Sequence, residues 1–133
     1  MFIALNLLIF LSGCSCFGEE KIVLDEPEFR LFVAQKAVAV MQPLVGMKFE
    51  NGTVLRGARL LEEGRTLTAI YEYEVPTTVV WTDEARSEQS KLLFNTYCGD
   101  EMKGFVAEDI SAEWHYFQDG KVKVFSFSPK DCN

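Results

Sequence analysis

Thr66-Leu67-Thr68-Ala69-Ile70-Tyr71-Glu72-Tyr73-Glu74-Val75 is the stretch on which the fold turns. Leu67, Ala69, Tyr71 and Tyr73 fall on one side of an extended chain; Thr68, Ile70, Glu72 and Glu74 fall on the other. That alternation predicts a strand with one buried face. Pro76 ends it. Upstream, Glu62-Glu63-Gly64-Arg65 reads as a turn and Asn51-Gly52 as another. Thr53 to Leu60 lies between them as a strand weakened by Gly57. The spacing predicts an antiparallel hairpin.

A second hairpin lies downstream. In Ile110 to Phe117, Ile110, Ala112, Trp114 and Tyr116 alternate with Ser111, Glu113 and His115. Asp119-Gly120 is a two-residue hairpin turn. Lys121 to Ser128 returns, and Pro129 ends it. Its apolar set changes face between Val124 and Phe125, which predicts a bulge or an edge strand partly covered on both sides.

A helix precedes each hairpin. Asp25-Glu26-Pro27-Glu28 combines a cap, a first-turn proline and a capping-box acid. Phe29, Phe32, Val33, Lys36, Ala37 and Val40 then form a stripe, widened by Leu31, Val38 and Met41, until Pro43 and Gly46 stop the helix. Thr82 caps the other helix, Asp83 and Glu84 favour its start, and it runs to about Cys98. Ala85, Gln89, Leu92, Leu93 and Thr96 lie along its inner side. Gly99 stops it, and Glu101 to Ala107 has room for one further turn. The order is α-β-β-α-β-β. It predicts an α+β domain: a four-stranded antiparallel sheet with two helices on one face.

The N-terminus reads differently. Residues Met1 to Gly18 carry no charged side chain, and Phe2 to Leu11 is apolar apart from Asn6. Such a stretch is short of the ~20 residues of a membrane-spanning helix and suits a signal-peptide core. Its start lacks the usual basic residues. Leu11-Ser12-Gly13-Cys14 resembles a bacterial lipobox, with Cys14 as the acylated residue. Ordinary cleavage near Cys16-Phe17-Gly18 is the alternative. Residues 1–18 are read as signal peptide and 19–133 as one domain in the periplasm, anchored to the outer membrane by an N-terminal lipid.

Cys98 and Cys132 are then the only cysteines of the folded body. In an oxidising compartment they are expected to pair, closing a loop of about 34 residues and stabilising by ~3 kcal/mol. Two cysteines and His115 do not complete a zinc site, and no cofactor pattern is present. Twenty acids against 13 bases leave a net charge of −7, which repels nucleic-acid backbones.

Catalytic groupings are sparse. Ser111, Glu113 and His115 share a strand face, but alternate positions stand ~7 Å apart and lack the layout of a triad. Glu72, Glu74 and Glu113 fit the wet face of an antiparallel sheet. Asn51-Gly52-Thr53 matches a glycosylation acceptor and also reads simply as a turn. The wide stripe of the first helix serves as core or lines a groove for a partner's amphipathic helix. The groove residues would be Phe29, Phe32 and Val33, with Trp81 and Phe105 at the rim.

Val40-Met41-Gln42-Pro43-Leu44, the strand Leu67 to Tyr73, a helix ending at Cys98, Glu108 to Trp114, Asp119-Gly120 and Ser128-Pro129-Lys130-Asp131-Cys132 follow the lipobox in that order. Over residues 26–132 this resembles the beta-type pilotins of type II secretion, small lipoproteins with a disulfide. The resemblance implies a non-enzymatic protein that binds the C-terminal helix of an outer-membrane secretin subunit. It also matches Cys98 and Cys132 to the family disulfide. The alternative is an exported inhibitor or immunity-type protein that blocks an enzyme through an acidic sheet face. An enzyme would need a concave site around Glu72, Glu74, Glu113 and His115.

Overall fold

The computed structural model describes residues 26–133, so the expected signal segment, Cys14 and the expected cap at Asp25 lie outside the described residues. Helix α1 (Glu26–Ala39) is followed by a short turn at Gln42–Leu44. Strands β1 (Val54–Glu63) and β2 (Thr66–Glu74) form the first hairpin, and α2 (Asp83–Tyr97) follows. A turn at Asp100–Met102 leads into α3 (Lys103–Ala107). Strands β3 (Ile110–Gln118) and β4 (Lys121–Phe127) close the fold, ahead of a last turn at Pro129–Cys132. The domain is α+β with three helices, one more than the sequence reading assigned. The third grows from the single turn expected after Gly99.

The sheet order is β1-β2-β3-β4. Both hairpins are antiparallel, but β2 and β3 are parallel, in register from Leu67 opposite Ile110 to Glu74 opposite Phe117. The sheet is therefore mixed, which corrects the all-antiparallel expectation. The reason lies in α2. A helix between two neighbouring strands carries the chain back to the end where the first strand began, so the second strand runs the same way.

The parallel register aligns the two central strands face to face. Leu67, Ala69, Tyr71 and Tyr73 lie beside Ile110, Ala112, Trp114 and Tyr116, all buried. Phe125 and Phe127 continue this face across β4. Tyr73 stacks on Tyr116 at 5.2 Å between centroids, and Tyr71 is tilted against Trp114 at 5.7 Å. A sheet this rich in large rings asks for small residues opposite. Helix α1 provides them: its buried positions are Val33, Ala34, Ala37 and Val38. The stripe read from the sequence is thus rotated; Phe29 and Phe32 are only half-buried, and Lys36 is exposed with its ammonium 5.6 Å from the Phe32 ring. The same core takes Leu93 and Tyr97 from α2 and Phe105 from α3.

β4 pairs with β3 without a bulge and forms the edge of the sheet. Phe125 and Phe127 point to the core, whereas Val122 and Val124 are 47% and 49% exposed. The irregularity falls in β1 instead, between Leu55 and Gly57. Cys98 and Cys132 are bonded, with Cα atoms 5.4 Å apart, and tie the end of α2 to the turn after β4.

Arg30 joins α1 to the connection between α3 and β3. Its Nε donates to Glu108 O at 2.6 Å, and a terminal nitrogen donates to Asp109 O at 2.9 Å. Both carbonyls follow the last turn of α3, and Asp109 has the left-handed φ of 57°. Hydrogen bonds from a charged donor are worth more than neutral ones, so replacing Arg30 strands both acceptors. Arg30→Ala is expected to lower unfolding stability by about 1–3 kcal/mol, read from the urea midpoint.

All four tyrosines are buried, and burial is the largest cause raising each phenol above its ordinary range. Asp109 and Asp131 add to the effect at Tyr97, while a hydrogen bond from Gln89 opposes it at Tyr116. The unfolded chain therefore ionises first. Stability is full below pH ~10 and falls as pH rises beyond it. Absorbance of tyrosinate is expected to stay low past pH ~10 and to rise only together with loss of the near-ultraviolet dichroism.

Candidate functional site

A cleft of about 310 Å³ opens beyond the carboxyl end of β2, where the chain leaves the sheet for α2. Three segments wall it. The first is the Asn51-Gly52 turn, shaped by Thr53 N donating to Asn51 Oδ1 at 2.9 Å and Phe49 N donating to Thr53 O at 2.7 Å. Gly52 has φ +90°, and a Cβ there would stand 3.1 Å from Pro76 Cγ. The turn is therefore pressed against the connector, and only glycine suits it.

The second wall is the connector from Val75 to Trp81. Gln118, at the end of β3, holds it by donating from Nε2 to Pro76 O at 2.8 Å and to Val79 O at 2.7 Å. Trp81 packs on Tyr116 and Phe125, with centroids 5.7 and 6.2 Å away, and carries the Lys123 ammonium 5.9 Å from its ring.

The third wall is α2. Thr82 Oγ1 caps it by accepting from Ala85 N at 2.9 Å. Ala85, Glu88, Gln89 and Leu92 then face the cleft at one-turn spacings. Gln89 is buried and donates from Nε2 to Tyr116 O–H at 3.0 Å, which fixes the floor.

The lining is largely aliphatic, from Val75, Val79, Val80 and Leu92. Val80 is 72% exposed and Leu92 38%. Two polar atoms in these walls are buried and have no hydrogen-bond partner among the described residues: Thr53 Oγ1 and Trp81 Nε1. Glu88 is exposed and makes no ion pair with a described residue.

Of the groove residues read from the sequence, Trp81 lines this cleft. Val33 and Phe105 are core side chains, and Phe29 and Phe32 lie half-buried on α1. The cleft runs along α2. Its other residues fall outside the groove expected from the sequence, where Ala85, Gln89 and Leu92 are read only as the inner side of a helix, although the run Val79-Val80-Trp81 in a connector is a signal of apolar surface outside any strand.

The opposite sheet face holds the other candidates. Glu113 and His115 meet there, His115 Nε2 lying 2.8 Å from Glu113 Oε1. The side chains lean together and close the gap that strand spacing alone leaves between alternate positions. Ser126 Oγ lies 3.5 Å from Glu113 Oε2. The carboxylate, not the imidazole, is thus the middle member, whereas a triad needs the imidazole between hydroxyl and acid. Glu72 pairs with Arg59 at 3.5 Å and Glu74 with Arg56 at 3.1 Å. Arg56 also lies 4.3 Å over the Phe117 ring. Each of these three acids has a cationic or imidazole neighbour. Among the described residues, no cluster of three His, Cys, Asp or Glu could hold a metal ion.

Comparison with known proteins adds no relative: no family model, no curated protein and no solved structure matches the chain.

The cleft walls differ in what they gain from their polar atoms. Thr53→Val removes a hydroxyl without a partner and keeps its shape, and is expected to leave stability unchanged or raise it by up to ~1 kcal/mol. Gln89→Leu deprives the Tyr116 hydroxyl of its donor and is expected to cost ~1–2 kcal/mol. Thermal unfolding of the two variants checks the contrast.

Proposed function

We propose that this chain is an exported, non-enzymatic binding protein that grips a segment of a partner protein in the cleft between α2 and the Val75–Trp81 connector. The observation that carries this reading is the aliphatic cleft with its exposed rim at Val80 and Leu92. Exposed apolar surface around a concavity is costly to keep unless something binds there. The Cys98–Cys132 bond agrees with an oxidising compartment. In the pilotin-like form of the proposal, the partner is the C-terminal helix of a secretin subunit and an acylated Cys14 supplies the anchor at the outer membrane. An inhibitor acting through a bare acidic face is less well supported, because Glu72, Glu74 and Glu113 are engaged by Arg59, Arg56 and His115.

A fluorescent peptide copying the C-terminal helix of the host's secretin tests the proposal. It is expected to bind saturably, and Leu92→Glu is expected to weaken binding at least tenfold, about 1.4 kcal/mol, with an unchanged melting temperature. Absence of saturable binding sinks the pilotin form. Binding that Leu92→Glu leaves intact sinks the assignment of the cleft.

A further inference from the structure

The two edges of the sheet are finished differently. β1 is blunted: its register shifts between Leu55 and Gly57, the main chain of Leu55 bonds Gly46 and Met47, Gln42 Nε2 donates to Ala58 O at 2.6 Å, and Lys48 bridges Val54. Natural sheets close their edges in such ways because unpaired strand groups invite another chain. β4 is the other edge, and all seven of its residues pair with β3 without irregularity.

The turn fixes which groups of β4 are free. Asp119 and Gly120 have φ of 51° and 77°, as a two-residue hairpin turn requires, so Gln118 and Lys121 are the first hydrogen-bonded pair. Bonded and unbonded pairs then alternate. The main-chain groups of Lys121, Lys123, Phe125 and Phe127 turn toward β3, and those of Val122, Val124 and Ser126 turn out to the open edge. No main-chain bond from another described element reaches these three residues. Their side chains are exposed, Val122 at 47% and Val124 at 49%. On the helix side of the same edge, Phe94, 37% exposed, packs edge-on against Phe127.

We infer that β4 pairs antiparallel with β4 of a second copy of this chain, joining two four-stranded sheets into one about a two-fold axis at Val124. Register and charge select this occupant and this axis. Val124 is the middle residue of the strand and turns its main chain outward, so an axis there keeps all seven residues in the ladder. Lys121 then lies opposite Phe127 of the copy, Lys123 opposite Phe125, and Val122 opposite Ser126. An axis at Lys123 sets that lysine against itself, and one at Val122 sets Lys121 against Lys123; like charges directly opposite are destabilising. An axis at Phe125 draws Pro129 into the ladder, where it has no N–H to give. With the axis at Val124, the Asp119-Gly120 turn comes level with Ser128-Pro129 of the copy, next to Lys130. Unlike charges thus meet at both ends of the seam, and the strand itself holds two lysines and no acid, although each chain carries −7. The pairing uses none of the residues that line the cleft.

Sedimentation equilibrium of the full, disulfide-intact chain, from micromolar to millimolar concentration, reads the pairing. The native protein is expected to pass from monomer to dimer over that range. Val124→Pro removes an N–H that faces the open edge, and is expected to stay monomeric with unchanged near-ultraviolet dichroism. It keeps the N-terminal segment, so association through that segment would survive the change. Two double variants test the register, and both replace exposed side chains only. Val122→Glu/Ser126→Lys sets unlike charges opposite each other across the axis and is expected to dimerise at least as tightly as the native chain. Val122→Lys/Ser126→Lys sets like charges there and is expected to dimerise about tenfold more weakly than the first. A native protein that stays monomeric throughout overturns the inference. Association that Val124→Pro leaves intact, or equal association of the two charged variants, overturns it as well.

Discussion

The parallel pairing of β2 with β3 is the constraint on which the rest of the molecule depends. Two hairpins alone could meet in several ways. Parallel pairing demands a crossover, and α2 is that crossover. It sets α2 on the same face as α1, so both helices share one core with the aromatic face of the sheet. It also leaves a gap where the chain turns out of β2 toward α2. In open sheets, crevices outside the carboxyl ends of parallel strands are where ligands settle, because the backbone there diverges. The cleft occupies such a place.

The core shows how volume is shared between layers. The sheet contributes Tyr71, Tyr73, Trp114 and Tyr116, and α1 answers with Ala34 and Ala37. Interiors are packed to crystal-like density, so large residues on one layer require small ones on the next. This explains why α1 turns its alanines inward and leaves Phe29 and Phe32 half-buried. The hydroxyls on these rings need partners or carry a cost. Tyr97 O–H donates to Ile110 O at 2.7 Å, and Tyr116 receives Gln89, while Tyr71 has no partner among the described residues.

Charge is arranged by face. Beyond the core, the sheet carries Arg56, Arg59, Glu72, Glu74, Glu113 and His115 in local pairs. Exposed pairs of this kind contribute little stability. They leave that face with few unmet charges, whereas Glu88 stands beside the cleft without a described ionic partner.

Element order, both hairpins, the Thr82 cap and the Cys98–Cys132 bond were all legible in the sequence, because each follows from local pattern or from the two cysteines that remain when residues 1–18 are read as a signal peptide. Strand periodicity placed Tyr71 and Trp114 on buried faces for the same reason. Tertiary structure alone decided how the hairpins join, which way α1 faces and where the cleft lies. The alternation in β2 and β3 is identical for parallel and antiparallel neighbours, so it carries no sign of direction. The apolar stripe of α1 is broad enough for several rotations, and only the bulk of the facing rings selects one. The cleft draws on Thr53, Trp81 and Leu92, residues far apart in the chain that meet because Gln118 and Pro76 hold the connector against the Asn51-Gly52 turn.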